Sequence, residues 1–228
     1  MNWETVDWAA LERLRGVFLA GTGGREDYWR SERDLESYDA TFGQRIAWKW
    51  NGILRELRRR GWQPPSGGVL DWGCGTGVAA RAFLEAFGPA SAPRVALWDR
   101  SARAREFARR RIREECPTTP VDISPDPVNG LLLLSHVLTE LDENQLRGVV
   151  ELVNRAAAVI WVEPGTYAVS RSLIGLRERL RGPVPEPSVR ETSPRAPRGA
   201  VPEALAGGAP GGHALPSVVH GHEALGSH

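Results

Sequence analysis

Apolar residues recur along this chain in two different periods, and the change of period divides it. Up to about Pro65 the spacing is helical. Behind Asp7, a residue suited to cap a helix, Trp8, Leu11, Leu14, Val17 and Phe18 fall on one stripe that Gly21 to Gly24 ends. The spacing predicts a second helix from about Asp34 or Tyr38 through Arg59, with Ile46, Trp50, Ile53, Leu54 and Leu57 on its apolar face. Gly61 and Pro64-Pro65 stop it.

From Gly67 to about Gly182, short apolar runs alternate with helical patterns. Strands are predicted at Val69–Trp72, Val95–Trp98, Val121–Ile123, Leu131–Ser135 and Val159–Val162. Helices are predicted at Ala79–Phe87, Ala102–Glu115, Asn144–Ala157 and Val169–Leu180. Fully apolar strands alternating with helices indicate a mostly parallel sheet covered on both faces. The expected fold is therefore α/β and doubly wound, with an N-terminal helical region (1–64), a sheet domain (65–182) and a C-terminal tail (183–228). In that tail Pro, Gly, Ala and Ser dominate and no hydrophobic period survives, so disorder is expected there. His213, His220, His222 and His228 crowd its end. With nothing to fix them in space they read as part of a solvated tail, and no metal site is assigned.

Composition changes this picture little. The chain is 41% hydrophobic and 25% charged with a net charge of +1, ordinary for a globular protein. No run approaches the roughly 18 apolar residues of a membrane span, and the first residues do not read as a signal peptide. A cytoplasmic protein without membrane contact is expected. Cys74 and Cys116 are too few for a disulfide scaffold and lack metal-ligand spacing. Lys49 is the sole lysine; every other basic side chain of the Lys/Arg type is arginine.

The strongest chemical signal is Val69-Leu70-Asp71-Trp72-Gly73-Cys74-Gly75-Thr76-Gly77, between a predicted strand and helix. Such a turn brings backbone and a helix N-terminus to one crevice. Two ligands compete for it. Gly75-Thr76-Gly77-Val78-Ala79-Ala80 satisfies the dinucleotide pattern, with Asp99 as the acid about 20 residues on. That reading leaves Asp71, Gly73 and Cys74 unexplained. Asp71, two residues before three alternating glycines, resembles the first motif of class I S-adenosylmethionine-dependent methyltransferases. The likeness implies that Asp71 and the backbone of Gly73, Cys74, Gly75 and Gly77 hold the methionine end of that cofactor. An ionised Asp71 suits an ammonium and would repel a pyrophosphate. Asp99, ending the second strand, can accept both ribose hydroxyls or simply cap the next helix. Asp122, ending the third, is where the superfamily often meets the adenine amine.

Three further segments are more specific: Tyr38–Phe42 with Arg45–Trp50, Ser135–Leu141, and Val162–Thr166. With the glycine turn they resemble the methyltransferase-like proteins associated with the small ribosomal subunit of mitochondria, which have bacterial relatives. The likeness runs from about Tyr28 to Arg181. It implies a class I methyltransferase (Rossmann-like) fold and a role in translation or ribosome assembly, on or near small-subunit ribosomal RNA. It adds Ser135 to the cofactor-binding set and offers His136 and Glu140 as catalytic candidates. His136 has a pKa suited to proton transfer or is structural; Glu140 and Glu163 orient substrate or are satisfied at element ends. Ser135-His136-Val137-Leu138 stands where amine methyltransferases carry Asn/Asp-Pro-Pro-aromatic, which leaves open an assembly factor that keeps the fold without the chemistry. Family members continue into a cysteine-rich stretch able to bind an iron–sulfur cluster. No cysteine follows Cys116 here, so the family pattern is expected to end near Gly182, before a replaced or out-of-frame tail.

Two arginine clusters, Arg55 with Arg58–Arg60 and Arg100–Arg113, suit either a solvated helix face or an RNA backbone.

Overall fold

A computed structural model describes residues 3–20, 27–123 and 129–181. The apolar runs form five strands: β1 (Val69–Trp72), β2 (Val95–Trp98), β3 (Val121–Asp122), β4 (Leu131–Ser135) and β5 (Ala158–Val162). All pair in parallel, in the order β3-β2-β1-β4-β5. This is the doubly wound, Rossmann-like sheet expected from the alternation. Its crevice lies outside the carboxyl ends of β1, β2 and β4, where the order reverses. The expected tail (183–228) with its histidines lies outside the described residues, as do the Gly21 to Gly24 stop and Pro125.

Both faces of the sheet are buried. Val69, Val95, Leu97, Leu131, Leu133 and Ile160 point to one core, while Leu70, Ala96, Leu132, Leu134 and Trp161 point to the other. Each fully buried Leu or Phe in these layers contributes about 1.5–3 kcal/mol. Helices α4 (Val78–Phe87) and α5 (Ala102–Glu115) cover the first face. Helices α6 (Glu143–Arg155) and α7 (Tyr167–Arg181) cover the second. The capping box of Asp142 and Gln145 starts α6 one residue earlier than expected.

The N-terminal region folds as α1 (Trp8–Leu19), α2 (Glu32–Ala40) and α3 (Phe42–Arg59). Asp7 caps α1, accepting from the Ala10 N–H at 2.9 Å. The single helix expected up to Arg59 is two. At Thr41 the backbone N–H turns to the Tyr38 carbonyl, and the hydroxyl takes the Ser37 carbonyl at 2.7 Å in its place. That side-chain bond ends α2 and lets α3 leave in a new direction. Ile46, Trp50, Ile53, Leu54 and Leu57 of α3 join the first core directly, so this helix is a layer of the sheet domain. Among the described residues no helix is long and apolar enough to cross a membrane.

Candidate functional site

After β1 the chain turns through Gly73, Gly75 and Gly77, with φ of 71°, 50° and 78°. Two of these positions are closed to any side chain. A Cβ at Gly73 would lie 2.5 Å from Val137 Cγ1, and one at Gly77 would lie 2.9 Å from Ala108 Cβ. At Gly75 a Cβ would meet nothing within 4 Å, so the backbone there borders open space.

Four donors of this turn are taken within the protein. Gly73 and Cys74 N–H donate to the Trp98 carbonyl at 2.7 and 2.9 Å, and Gly77 N–H donates to the Cys74 carbonyl at 2.7 Å. The Gly75 N–H donates to Asp99 Oδ2 at 2.9 Å. The Asp99 Oδ1 accepts from the Ser101 N–H at 2.8 Å. Each Asp99 oxygen keeps acceptor capacity toward the crevice. Burial raises the Asp99 pKa against those two hydrogen bonds, and the charge of Asp27 adds to the rise.

Asp71 is fully buried behind the turn. Its Oδ2 accepts from Ala80 N–H at 3.1 Å and so caps α4 from β1, because the N-cap residue Gly77 has no side chain to do so. Its Oδ1 bonds to nothing, and neither does the buried Thr76 hydroxyl. Burial pushes the Asp71 pKa up to about 7, and Asp99 contributes to the rise. Cys74 is buried and its thiol is pushed well up by that burial, so only its backbone serves the turn.

The opposite wall is the loop after β4. His136 takes a left-handed conformation (φ 58°), with its N–H donating to the Val162 carbonyl at 2.8 Å. Glu163, just past β5, holds the next residues: its Oε1 accepts from Val137 N–H, Leu138 N–H and Trp161 Nε1–H at 3.0, 2.9 and 2.7 Å. The Glu163 Oε2 and His136 Nε2 are buried and unbonded. Burial raises Glu163 to about 7 and lowers His136 to about 3; the positive charge of Lys49 acts on both, opposing the first shift and adding to the second. His136 is therefore a neutral hydrogen-bonding ring and a weak base. Glu140 is raised to about 7 by burial and by Asp99, and accepts from the Tyr28 hydroxyl at 3.4 Å. Its proton affinity matches neutral pH, as a general base requires.

The structure thus brings Asp71, Gly73, Cys74, Gly75, Gly77, Asp99, Ser135, His136 and Glu140 to one crevice. The Ser135 hydroxyl there accepts from Trp50 Nε1–H at 3.0 Å. Asp122 stands apart. It pairs in register with Ala96, short of the level of Asp99, and its carboxylate bonds Arg94 at 2.7 Å. Trp72 and Trp98 stack at 4.5 Å and pack on the second core. Sequence reasoning missed Asp27 and Tyr28, which reach Asp99 and Glu140 from before α2 without any motif. It also assigned no role to Lys49, although that residue is the sole lysine and stands in the Arg45–Trp50 segment that carries the resemblance. Among the described residues no group of His, Cys, Asp and Glu has the geometry to hold a metal ion.

Several solved structures align with this chain. A candidate RNA methyltransferase from Pyrococcus horikoshii aligns at a TM-score of 0.41 and 14% identity, over 74% of this chain and 82% of its own. Magnesium protoporphyrin IX methyltransferase from Synechocystis PCC 6803 with bound S-adenosylhomocysteine aligns at 0.42 and 18%, over 74% of each chain. No curated protein sequence matches. A family pattern does match, over residues 50–197. It begins later than the Tyr28 expected and runs past Gly182, so the expected end of the family pattern at Gly182 is corrected: residues 183–197 belong to that pattern. With most of its length covered by that match, the chain belongs to the family of the mitochondrial small ribosomal subunit protein Rsm22.

Proposed function

We propose that this chain is a methyltransferase-like protein that binds S-adenosylmethionine in the crevice and acts on or beside the RNA of the small ribosomal subunit. One observation carries the cofactor choice. Asp71, Asp99, Glu140 and Glu163 gather acidic groups at the crevice, where Asp99 raises the pKa of Asp71 and both Asp99 and Glu163 raise that of Glu140. A pyrophosphate would meet repulsion from these carboxylates, which argues against a nicotinamide dinucleotide. A ligand carrying an ammonium and a sulfonium meets the opposite charge.

The residues fit that ligand. Asp71 Oδ1 is an unpartnered buried acceptor, Gly75 leaves room for close approach, and Asp99 can take the ribose hydroxyls. S-adenosylmethionine, when bound, supplies an electrophilic methyl group. Around it, His136 would hold the acceptor by hydrogen bond, and Glu140 would remove its proton. The family assignment supports the ribosomal setting. A second reading, an assembly factor without chemistry, is favoured by the weak basicity of His136 and by the absence of an Asn/Asp-Pro-Pro-aromatic segment after β4.

Transfer of labelled methyl groups to purified small-subunit RNA separates the two readings. Incorporation that falls at least tenfold in Glu140→Gln supports catalysis. Cofactor binding without incorporation supports the assembly factor.

A further inference from the structure

The two arginine-rich helices are wired differently. On α5, Arg109 pairs with Glu106, Arg110 with Glu32 and Glu114, and Arg111 with Asp39, Glu114 and Glu115. Arg103 and Arg105 donate to the carbonyls of Trp29 and Asp99. These charges are paired within the protein, mostly at its surface, while Arg113 of the same helix is exposed and pairs with no carboxylate among the described residues. On α3, Arg59 and Arg60 share Glu56, while Arg45, Arg55 and Arg58 are exposed and pair with no carboxylate among the described residues.

The same exposed face of α3 carries Trp48, 70% exposed, and meets Trp8 of α1, 59% exposed. Between them lies a groove of about 610 Å³, lined also by Leu11, Phe42, Arg45 and Glu12, the last paired with Arg15. The Arg45 guanidinium sits 5.9 Å from the Phe42 ring centroid. Exposed flat rings interleaved with uncommitted arginines are costly for a lone protein surface to keep wet. Together they are the physical requirements of a single-strand nucleic-acid site, since rings stack on bases and guanidiniums meet phosphates. A hydrophobic peptide would use the rings but leave the arginine row without a counter-charge.

We propose that this groove is a stacking site for one or two unpaired bases of a single-stranded RNA segment, with Arg45, Arg55 and Arg58 following its phosphates. The proposal rests on RNA being the partner of the crevice described above, and gives that partner a place to lie. On α3, the groove residues Phe42, Arg45 and Trp48 lead along the helix to the crevice side, Lys49 following Arg45 by about one turn. There Lys49 acts on His136 and Glu163, and Trp50 bonds Ser135. An RNA strand anchored by a stacked base would present a neighbouring nucleotide to the loop after β4.

The test is fluorescence anisotropy of the full-length chain with a labelled, unstructured uridine 12-mer. Trp8→Ala and Trp48→Ala are each expected to weaken binding about 5- to 100-fold, with recovery in Trp48→Phe. Arg55→Ala should weaken it and flatten its salt dependence, and Arg109→Ala on α5, where Glu106 pairs the charge, should change it little. Calorimetric S-adenosylmethionine titration of the same samples keeps the two proposals separate. Stacking without cofactor binding sinks the functional reading and leaves this one standing. Unchanged RNA affinity in both tryptophan variants overturns the proposal. So does a dimer of the wild type that Trp48→Ala dissociates, which would make the groove a self-interface.

Discussion

The two walls of the crevice are held by different means. The glycine-turn wall is local: ten consecutive residues from Asp71 to Ala80 supply its strand end, its left-handed turn and its cap. The wall after β4 is long-range. Its loop hangs on one carboxylate oxygen of Glu163, 25 and 26 residues away, with Lys49 and Trp50 arriving from α3 and Tyr28 from the segment before α2. Backbone conformation sets the first wall; the second depends on hydrogen bonds to one side chain, whose pKa burial raises to about 7. A crevice with one fixed and one tunable wall suits a protein that holds a constant cofactor beside a variable acceptor.

The walls touch at Gly73 and Val137, which gives the largest expected effect. Gly73→Val forces a β-branched residue to φ 71° and drives a methyl into Val137. It should destabilise by about 3–5 kcal/mol, measured by urea unfolding. Adding Val137→Ala should return part of that loss. Strict additivity would mean the walls are independent.

Next comes Glu163. Glu163→Ala strands two backbone donors and the Trp161 indole, and should cost about 3 kcal/mol. Glu163→Gln keeps an acceptor oxygen and should cost under about 1 kcal/mol. It should also change the pH profile. The folded pKa of about 7 exceeds the ordinary 4.5, so between those values the folded chain binds more protons than the unfolded one. Stability from this group is therefore lost as pH rises through that window. Glu163→Gln should flatten the slope from pH 5 to 7, and an unchanged slope would assign it to Asp71 and Glu140 alone.

The smallest effect is at His136. Replacing it by Gly relieves a left-handed non-glycine residue and should stabilise the fold by about 0.5–1 kcal/mol, while removing the acceptor-side ring. Destabilisation instead would mean that packing of the part-buried ring outweighs the relief of the left-handed backbone.

The same contrast explains what was legible in the sequence. The sheet could be read because two-sided burial demands uninterrupted apolar strands, and the glycine turn because its geometry is written in adjacent residues. Asp71 and Asp99 followed from standing at strand ends. The second wall resisted because a hydrogen bond from Val137 to Glu163 leaves no periodicity. Lys49 and Tyr28 acquire meaning only once α3 and the segment before α2 are folded onto the crevice. Asp122 illustrates the converse: its strand-end position was readable, but the strand stops at the level of Ala96 and Arg94 takes the carboxylate.

The central claim, that the carboxylate-lined crevice takes a cationic nucleoside cofactor, is tested most directly by calorimetric titration with S-adenosylmethionine, with Asp99→Ala alongside. Micromolar binding, on the order of −8 kcal/mol, weakened at least tenfold in a variant that keeps its circular dichroism spectrum, is the predicted result. No heat of binding from the folded wild type, or equal affinity in Asp99→Ala, would contradict it.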